Sequence, residues 1–280
     1  MNKKQQQKEP IKILLNFDYK YYPFTTASYF EMAASSRDDV ITYRSTEKLP
    51  KDLDLVLNVE PVGEFVRIKG VPCAYYEIDN HVILGRERKY YDNCDILLLA
   101  QELFLKMYDE YNPKVLPLGF DPNLHRCIPE REEIFDIGFI GNDTYPERRR
   151  YLEQLGTRFK LLRTNSEPGL EYSKTLSSCK MLFNCSMNND INMRVFESIG
   201  VGKLFFTDRI PFLDKYFTED EHYIGYSNWD ELRQKVFYYL NRACFRQQIA
   251  RAGREYALKH HTYNHRLDLV LKYLNDFKNT

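Results

Sequence analysis

The chain has 280 residues against roughly 150 for an average domain, with 29% charged and 43% apolar residues and only 12 Gly and 12 Pro. That balance excludes a disordered chain and a disulfide-stapled miniprotein, and it leaves room for two domains with a core each. Net charge is zero, but the residues before Phe135 carry 18 Lys+Arg against 22 Asp+Glu and the rest carry 22 against 18, which argues against a polyanion-binding surface over the whole protein and favours an anionic ligand on the second half.

Residues 1–10 form a Lys/Gln-rich tail, expected to be flexible, with no apolar stretch behind its charges. It does not have the pattern of a signal peptide. The longest apolar run, 96–100, is far short of the ~18 residues that a membrane span needs. The six cysteines form no C-x-x-C pair and no zinc spacing, so a reducing, cytoplasmic setting is expected.

In chain order, short apolar runs predict strands over 11–15, 40–43, 55–59, 73–78, 95–100 and 115–118. They are continuously apolar and not alternating, as parallel strands covered on both faces require. Seven aromatics (Phe17, Tyr19, Tyr21, Tyr22, Phe24, Tyr29, Phe30) follow the first strand. They suit either an acceptor platform or core packing. Residues 119–134, with Gly, two prolines and a charge run, read as a linker. Strands are then predicted over 135–140, 159–162, 181–184, 204–207 and 222–226, alternating with helices, among them 230–241. A terminal helix over 263–277 follows.

The predicted organisation is a first domain over 11–118, a linker over 119–134, a second domain over 135–262 and a terminal helix over 263–280 whose return to the first domain is left open. The fold class is α/β, with two doubly wound, Rossmann-like domains facing a cleft. Open parallel sheets bind ligands beyond the carboxyl ends of their strands.

The most informative segment is 180–208. A buried strand ends at Asn184, a polar loop follows, and a helix starts near Met193 and stops at Gly200/Gly202. A helix start can hold a phosphate on its backbone N–H groups, and Arg194 in the first turn could add a charge-assisted contact to a diphosphate. Glu197, one turn on, could accept bonds from vicinal ribose hydroxyls. The plain alternatives are a cap by Asn192 or Asp190 and an exposed Arg194–Glu197 ion pair.

The run NMRVFESIGVGKLFFTD, the preceding FNCS, the upstream DIGFIGN with ERRR, and YEIDNH in the first half together resemble the CgeB-like (spore-maturation-type) glycosyltransferases of the glycosyltransferase-B fold. The resemblance spans about residues 73–266. It implies that the second domain binds a nucleotide-diphosphate sugar, for example a UDP-sugar, as co-substrate and that the first supplies the acceptor side. Arg194 would contact the diphosphate and Glu197 the ribose or sugar, while Asn184, Asn192, Gly141 and Asn142 would line the donor pocket and Arg148 would reach the phosphates. Asp79 and His81 would carry the catalytic role, His81 toward the sugar or leaving phosphate and Asp79 as base or orienter.

Retaining relatives carry a Glu-x7-Glu motif, and here its first position falls at Asn189, with Asp190 one residue out of register. Retention of configuration is expected from the resemblance, without the first glutamate of that motif. Asp52-Leu53-Asp54 resembles a D-x-D metal motif but leads into a first-half strand, and His260, His261 and His265 lack carboxylate or cysteine partners in a zinc arrangement. No metal and no other cofactor is expected. The expected partners are a nucleotide-sugar donor and an acceptor of unread identity: protein, glycan, small molecule or modified DNA. A nucleotide-sugar epimerase and a non-catalytic nucleotide-sugar-binding protein are the competing readings.

Overall fold

The computed structural model describes residues 9–20, 24, 26–60, 64–81, 88–165 and 169–280. It comprises two compact units, one of residues 1–100, 104–117 and 266–280, the other of 101–103 and 118–265.

The first unit holds a six-stranded sheet of β1 (Ile11–Asn16), β2 (Val40–Arg44), β3 (Leu55–Val59), β4 (Cys73–Glu77), β5 (Ile96–Leu99) and β6 (Lys114–Val115). Its order is β2-β1-β3-β4-β5-β6 and every pairing is parallel. The three central strands β3, β4 and β5 are buried at every position, which is why their sequences are apolar without alternation. Helices α1 (Thr26–Ser35) and α2 (Arg88–Tyr91) lie within the crossovers, and a 3-10 segment, Glu102–Tyr111, precedes β6.

The second unit repeats the plan with β7 (Phe135–Ile140), β8 (Leu161–Thr164), β9 (Cys179–Phe183), β10 (Leu204–Asp208) and β11 (Ile224–Tyr226), in the order β11-β10-β9-β7-β8, again all parallel. Between and after these strands run α3 (Pro146–Gly156), α4 (Leu170–Ser177), α5 (Met193–Val201), α6 (Trp229–Leu240), α7 (Ala243–His260) and α8 (Tyr263–Lys278), the last passing into the first unit at Arg266. Ile137, Phe139, Met181, Phe183, Leu204 and Phe206 from the sheet pack with Leu152, Leu232 and Val236 from the helices. Each such side chain stabilises the fold by about 1.5–3 kcal/mol through burial.

In both sheets the order reverses direction beside the first strand, between β1 and β3 and between β7 and β9. At such a switch point the flanking connections leave on opposite faces, and a crevice opens at the carboxyl ends.

Four strands depart from expectation by two residues or more. β6 ends at Val115 and not at 118, because Pro117 has no N–H to give a ladder, although Leu116 and Leu118 are buried. β8 and β11 start two residues later than predicted and β9 two residues earlier. Of the aromatic cluster after β1, Phe17, Tyr29 and Phe30 are buried in the core and Tyr19 lies against the Arg44 guanidinium, 4.3 Å from ring centre. Phe24 is exposed. Tyr21, Tyr22 and tail residues 1–8 fall outside the described residues.

Candidate active site

At the switch point of the second sheet, β7 delivers Gly141 and β9 delivers Asn184, each one residue past its strand. Arg194, in the first turn of α5, spans the two: its Nε donates to the Ile140 carbonyl at 2.8 Å and its Nη1 to Asn184 Oδ1 at 2.6 Å. The guanidinium lies 4.5 Å from the centre of the Phe139 ring, a cation–π contact. Gly141 has φ +144°, and a Cβ there would be 2.0 Å from Arg194 Nη2. Glycine is thus required both by the backbone and by the arginine.

Asn184 is the hub of this end of the sheet. Fully buried, it donates through Nδ2 to Thr207 Oγ1 at 3.0 Å, and its carbonyl accepts the Tyr226 hydroxyl at 2.7 Å. Its Oδ1 also accepts Asn192 Nδ2 at 3.4 Å. Every contact holds that oxygen toward the arginine.

Arg148, on α3, is buried, and it donates to the Cys185 carbonyl at 2.8 Å and the Asn142 carbonyl at 2.7 Å. Its neighbours Arg149 and Arg150 are exposed, so the ERRR run contributes one inward charge and two on the solvent face. Among the described residues neither Arg148 nor Arg194 has a carboxylate at ion-pair distance. Burial, and then the proximity of Arg148, lowers the Arg194 pKa from its ordinary value. Two clustered cations satisfied only by carbonyls and an amide carry an unbalanced charge that an anion would neutralise.

The start of α5 is open in the same sense. Asn192 stands at the N-cap with no side-chain cap bond, and among the described residues its buried Oδ1 has no hydrogen-bond partner. Asn188 and Asn189 of the preceding loop are left-handed, with φ of 53° and 61°, a conformation that asparagine tolerates. Asp190 Oδ1 accepts the Met187 N–H at 2.6 Å, within the loop before the helix. Gln101 Oε1 accepts the Ile191 N–H at 2.9 Å. Ser186 bonds to both carboxylate oxygens of Asp208, and burial raises that carboxyl's pKa.

Glu197 is not paired with Arg194. It is buried, with Oε1 3.3 Å from His125 Nε2. His125 was not among the predicted site residues. Its only sequence signal is the turn GFDPNLH, in which Asp121 Oδ1 accepts the N–H groups of Asn123 and Leu124. Asn142 is exposed, its Oδ1 accepting the Thr144 N–H.

In the first unit, Glu60 Oε2 accepts the N–H groups of Ile78 and Asp79 at 2.8 and 2.9 Å, fixing the turn at the end of β4. Asp79 is exposed, Asn80 and His81 are buried, and among the described residues the Asn80 side chain has no hydrogen-bond partner. The carboxylates of the D-x-D run serve lysines: Asp52 pairs with Lys12, and Asp54 lies 3.0 Å from Lys278 Nζ. His261 bonds to the Tyr216 carbonyl and His265 to Thr262, so both are packing groups. Among the described residues no group of three or more His, Cys, Asp or Glu is placed to hold a metal ion, and no helix is long and apolar enough to cross a membrane.

No curated protein matches the chain. Solved structures do. A glycosyltransferase from Rickettsia africae aligns with TM-score 0.61 at 9% identity over 96% of this chain and 98% of its own. HepE of Anabaena, in complex with UDP and glucose, aligns with TM-score 0.58 at 11% identity over 95% and 100%. An alpha-glucosyltransferase bound to UDP-glucose and DNA containing an abasic site gives TM-score 0.66 at 8% identity over 95% and 99%. Identities this low establish the shared fold, that of the glycosyltransferase-B type. A family model described as glycosyl transferase-like matches residues 123–272, more than half the chain and nearly all of the unit that holds Arg148, Asn184, Arg194 and Glu197. The chain therefore belongs to the glycosyl transferase-like family and is a glycosyltransferase enzyme.

Proposed function

We propose that the protein transfers a sugar from a nucleotide-diphosphate donor, a UDP-sugar in the first instance, to an acceptor hydroxyl. The observation that carries this reading is the pair of inward-facing arginines, buried Arg148 and half-buried Arg194, without a carboxylate at ion-pair distance among the described residues, beside the start of α5. A diphosphate supplies the charge they lack, and charge-assisted bonds to it strengthen as negative charge builds on the leaving group. Glu197 takes the ribose hydroxyls, and Asn192, through the unpartnered Oδ1, is assigned to the donor as well. UDP in HepE and UDP-glucose in the alpha-glucosyltransferase make uracil the first base to test.

In this reading the acceptor oxygen bonds to the sugar's C1 as the bond from C1 to the diphosphate oxygen breaks. The hydroxyl proton passes to the departing phosphate, with Asp79 orienting His81, when configuration is retained, or to Asp79 as base when it is inverted, and His81 holds the transferred sugar or the departing phosphate. The CgeB-like subtype, a cytoplasmic setting, metal-independent transfer and retention of anomeric configuration belong to the proposal. Retention rests on the family resemblance alone, since Asn189 stands at the first position of the Glu-x7-Glu motif.

Calorimetric titration with UDP, with and without divalent metal, tests the reading. Wild-type protein is expected to bind in both conditions, and Arg194→Ala to bind at least tenfold more weakly, the loss of a charged hydrogen bond being worth about 1.5–3 kcal/mol. Unchanged affinity in Arg194→Ala removes the donor site from this place. Donor consumption without any acceptor would point to an epimerase, and binding without turnover to a non-catalytic binder.

A further inference from the structure

We propose that His125 is the positioning residue for Glu197 and sets the enzyme's discrimination between a ribonucleotide and a deoxyribonucleotide donor. The inference rests on the donor reading above.

His125 is held at its backbone and at its ring. Its backbone carbonyl accepts Arg254 Nη1 at 3.0 Å. Its ring meets the edges of Phe120 and Tyr172, with centroids 6.4 and 5.6 Å away. Its Nδ1 lies 3.1 Å from the Asp121 N–H nitrogen and 3.0 Å from the Asp121 carbonyl oxygen. These contacts decide which nitrogen faces Glu197 with a proton. In the neutral ring, Nδ1 accepts from the Asp121 N–H, so Nε2 carries the proton and faces Glu197 Oε1 at 3.3 Å. The opposite neutral tautomer would set the Nε2 lone pair against a carboxylate oxygen. In the doubly protonated ring, Nδ1–H donates to the Asp121 carbonyl and Nε2–H again faces Glu197. Both permitted states present a proton to the carboxylate from the same nitrogen.

The consequence is orientational. The terminal torsion of a glutamate is broad, and a carboxylate that swings accepts poorly from two hydroxyls on adjacent ribose carbons. Held through one oxygen on a buried imidazole, Glu197 keeps a single plane, and a sugar lacking the 2′-hydroxyl leaves part of a buried acceptor unsatisfied. Tyr172 adds to the rigidity. Its side chain is buried beside Glu197, and burial, then the Glu197 charge, raises its phenol pKa well above the ordinary value, keeping it neutral.

The test compares UDP with 2′-deoxy-UDP by calorimetry on wild type, His125→Phe and His125→Gln. Phenylalanine keeps the ring but removes the donor; glutamine can place an amide N–H near the position of Nε2. The wild type is expected to prefer UDP by tenfold or more, His125→Phe to bring the ratio to within threefold, and His125→Gln to restore most of it. A folded His125→Phe with the wild-type ratio overturns the inference. So does a wild type that binds both nucleotides equally while Arg194→Ala weakens both, an outcome that leaves the donor reading standing. A wild type that binds neither overturns donor reading and inference together. Should His125→Phe fail to fold, nitrogen-15 NMR of wild-type imidazoles decides: a protonated Nε2 on His125 that shifts on UDP binding supports the inference, and a bare Nε2 overturns it.

Discussion

Gly141 and Arg194 form the tightest pairing in the site, and a single methyl group tests it. With φ at +144° and a Cβ 2.0 Å from the guanidinium, Gly141→Ala is expected to cost about 1–3 kcal/mol of stability and to displace Arg194. UDP affinity should fall at least tenfold together with the denaturation midpoint; if neither changes, the two residues are not coupled. Opposite in kind is His81→Ala, which is expected to lower kcat of transfer by a hundredfold or more with little change in UDP affinity, and a full transfer rate would withdraw its role. At this scale the sequence was readable where strand, loop and helix follow one another closely, as from Asn184 to Glu197. It marked Arg148 only as one of three arginines, since burial alone separates it from Arg149 and Arg150. His125 escaped notice because its partner lies 72 positions away and nothing local requires an imidazole.

The start of α6 carries the clearest pH-dependent element. Asn228 Oδ1 accepts the Glu231 N–H at 3.0 Å and Glu231 Oε2 accepts the Ser227 N–H at 2.8 Å, a reciprocal cap to which Arg209 and Lys235 add ion pairs at 2.8 and 2.9 Å. Arg209 first, then Lys235 and the Ser227 N–H, hold the Glu231 carboxyl down from 4.5 to about 2. Because the folded pKa is the lower one, this carboxylate stabilises the fold at neutral pH, and its contribution is lost as pH falls from about 4.5 toward about 2. Circular-dichroism melts should show the wild-type Tm falling through that window, with Glu231→Gln lower at pH 7 and less sensitive to acid; parallel curves would refute the assignment. Asn228→Ala should cost about 1 kcal/mol. Among elements, the central strands were legible because both their faces are covered, so apolar runs mark them almost to the residue. Helix α7 was not. Its buried positions are Arg246, Ala250, Gly253 and Ala257, a correctly spaced stripe whose small residues give almost no hydrophobic signal; they are small because a Cβ on Gly253 would meet the His222 carbonyl at 2.4 Å.

For the molecule as a whole, the two sheets share one plan, and periodicity exposed it: the repeated switch point follows from strand order, while the order itself needs pairing information that no single run contains. The terminal helix was visible as an apolar stripe, and the structure gives residues 266–280 to the first unit. There Arg37 lies 2.5 Å from Asp268, Tyr273 donates to the Val115 carbonyl at 2.8 Å, and Leu267, Val270 and Leu274 are buried. Ending the chain at His265 removes these three side chains, each worth about 1.5–3 kcal/mol. Hydrogen exchange should then find β1 and β2 unprotected while β7 and β9 keep their protection; uniform protection would show that the helix contributes little. The same segment bears on how the protein is made. Domains ordinarily mature in the order in which they leave the ribosome. Here the stretch that completes the first unit is translated after all of the second, so the earlier sheet must wait, uncovered along that helix, while the later one can close. Synthesis order and maturation order are reversed, and that waiting interval is where the nascent enzyme is most exposed to aggregation or in need of a chaperone.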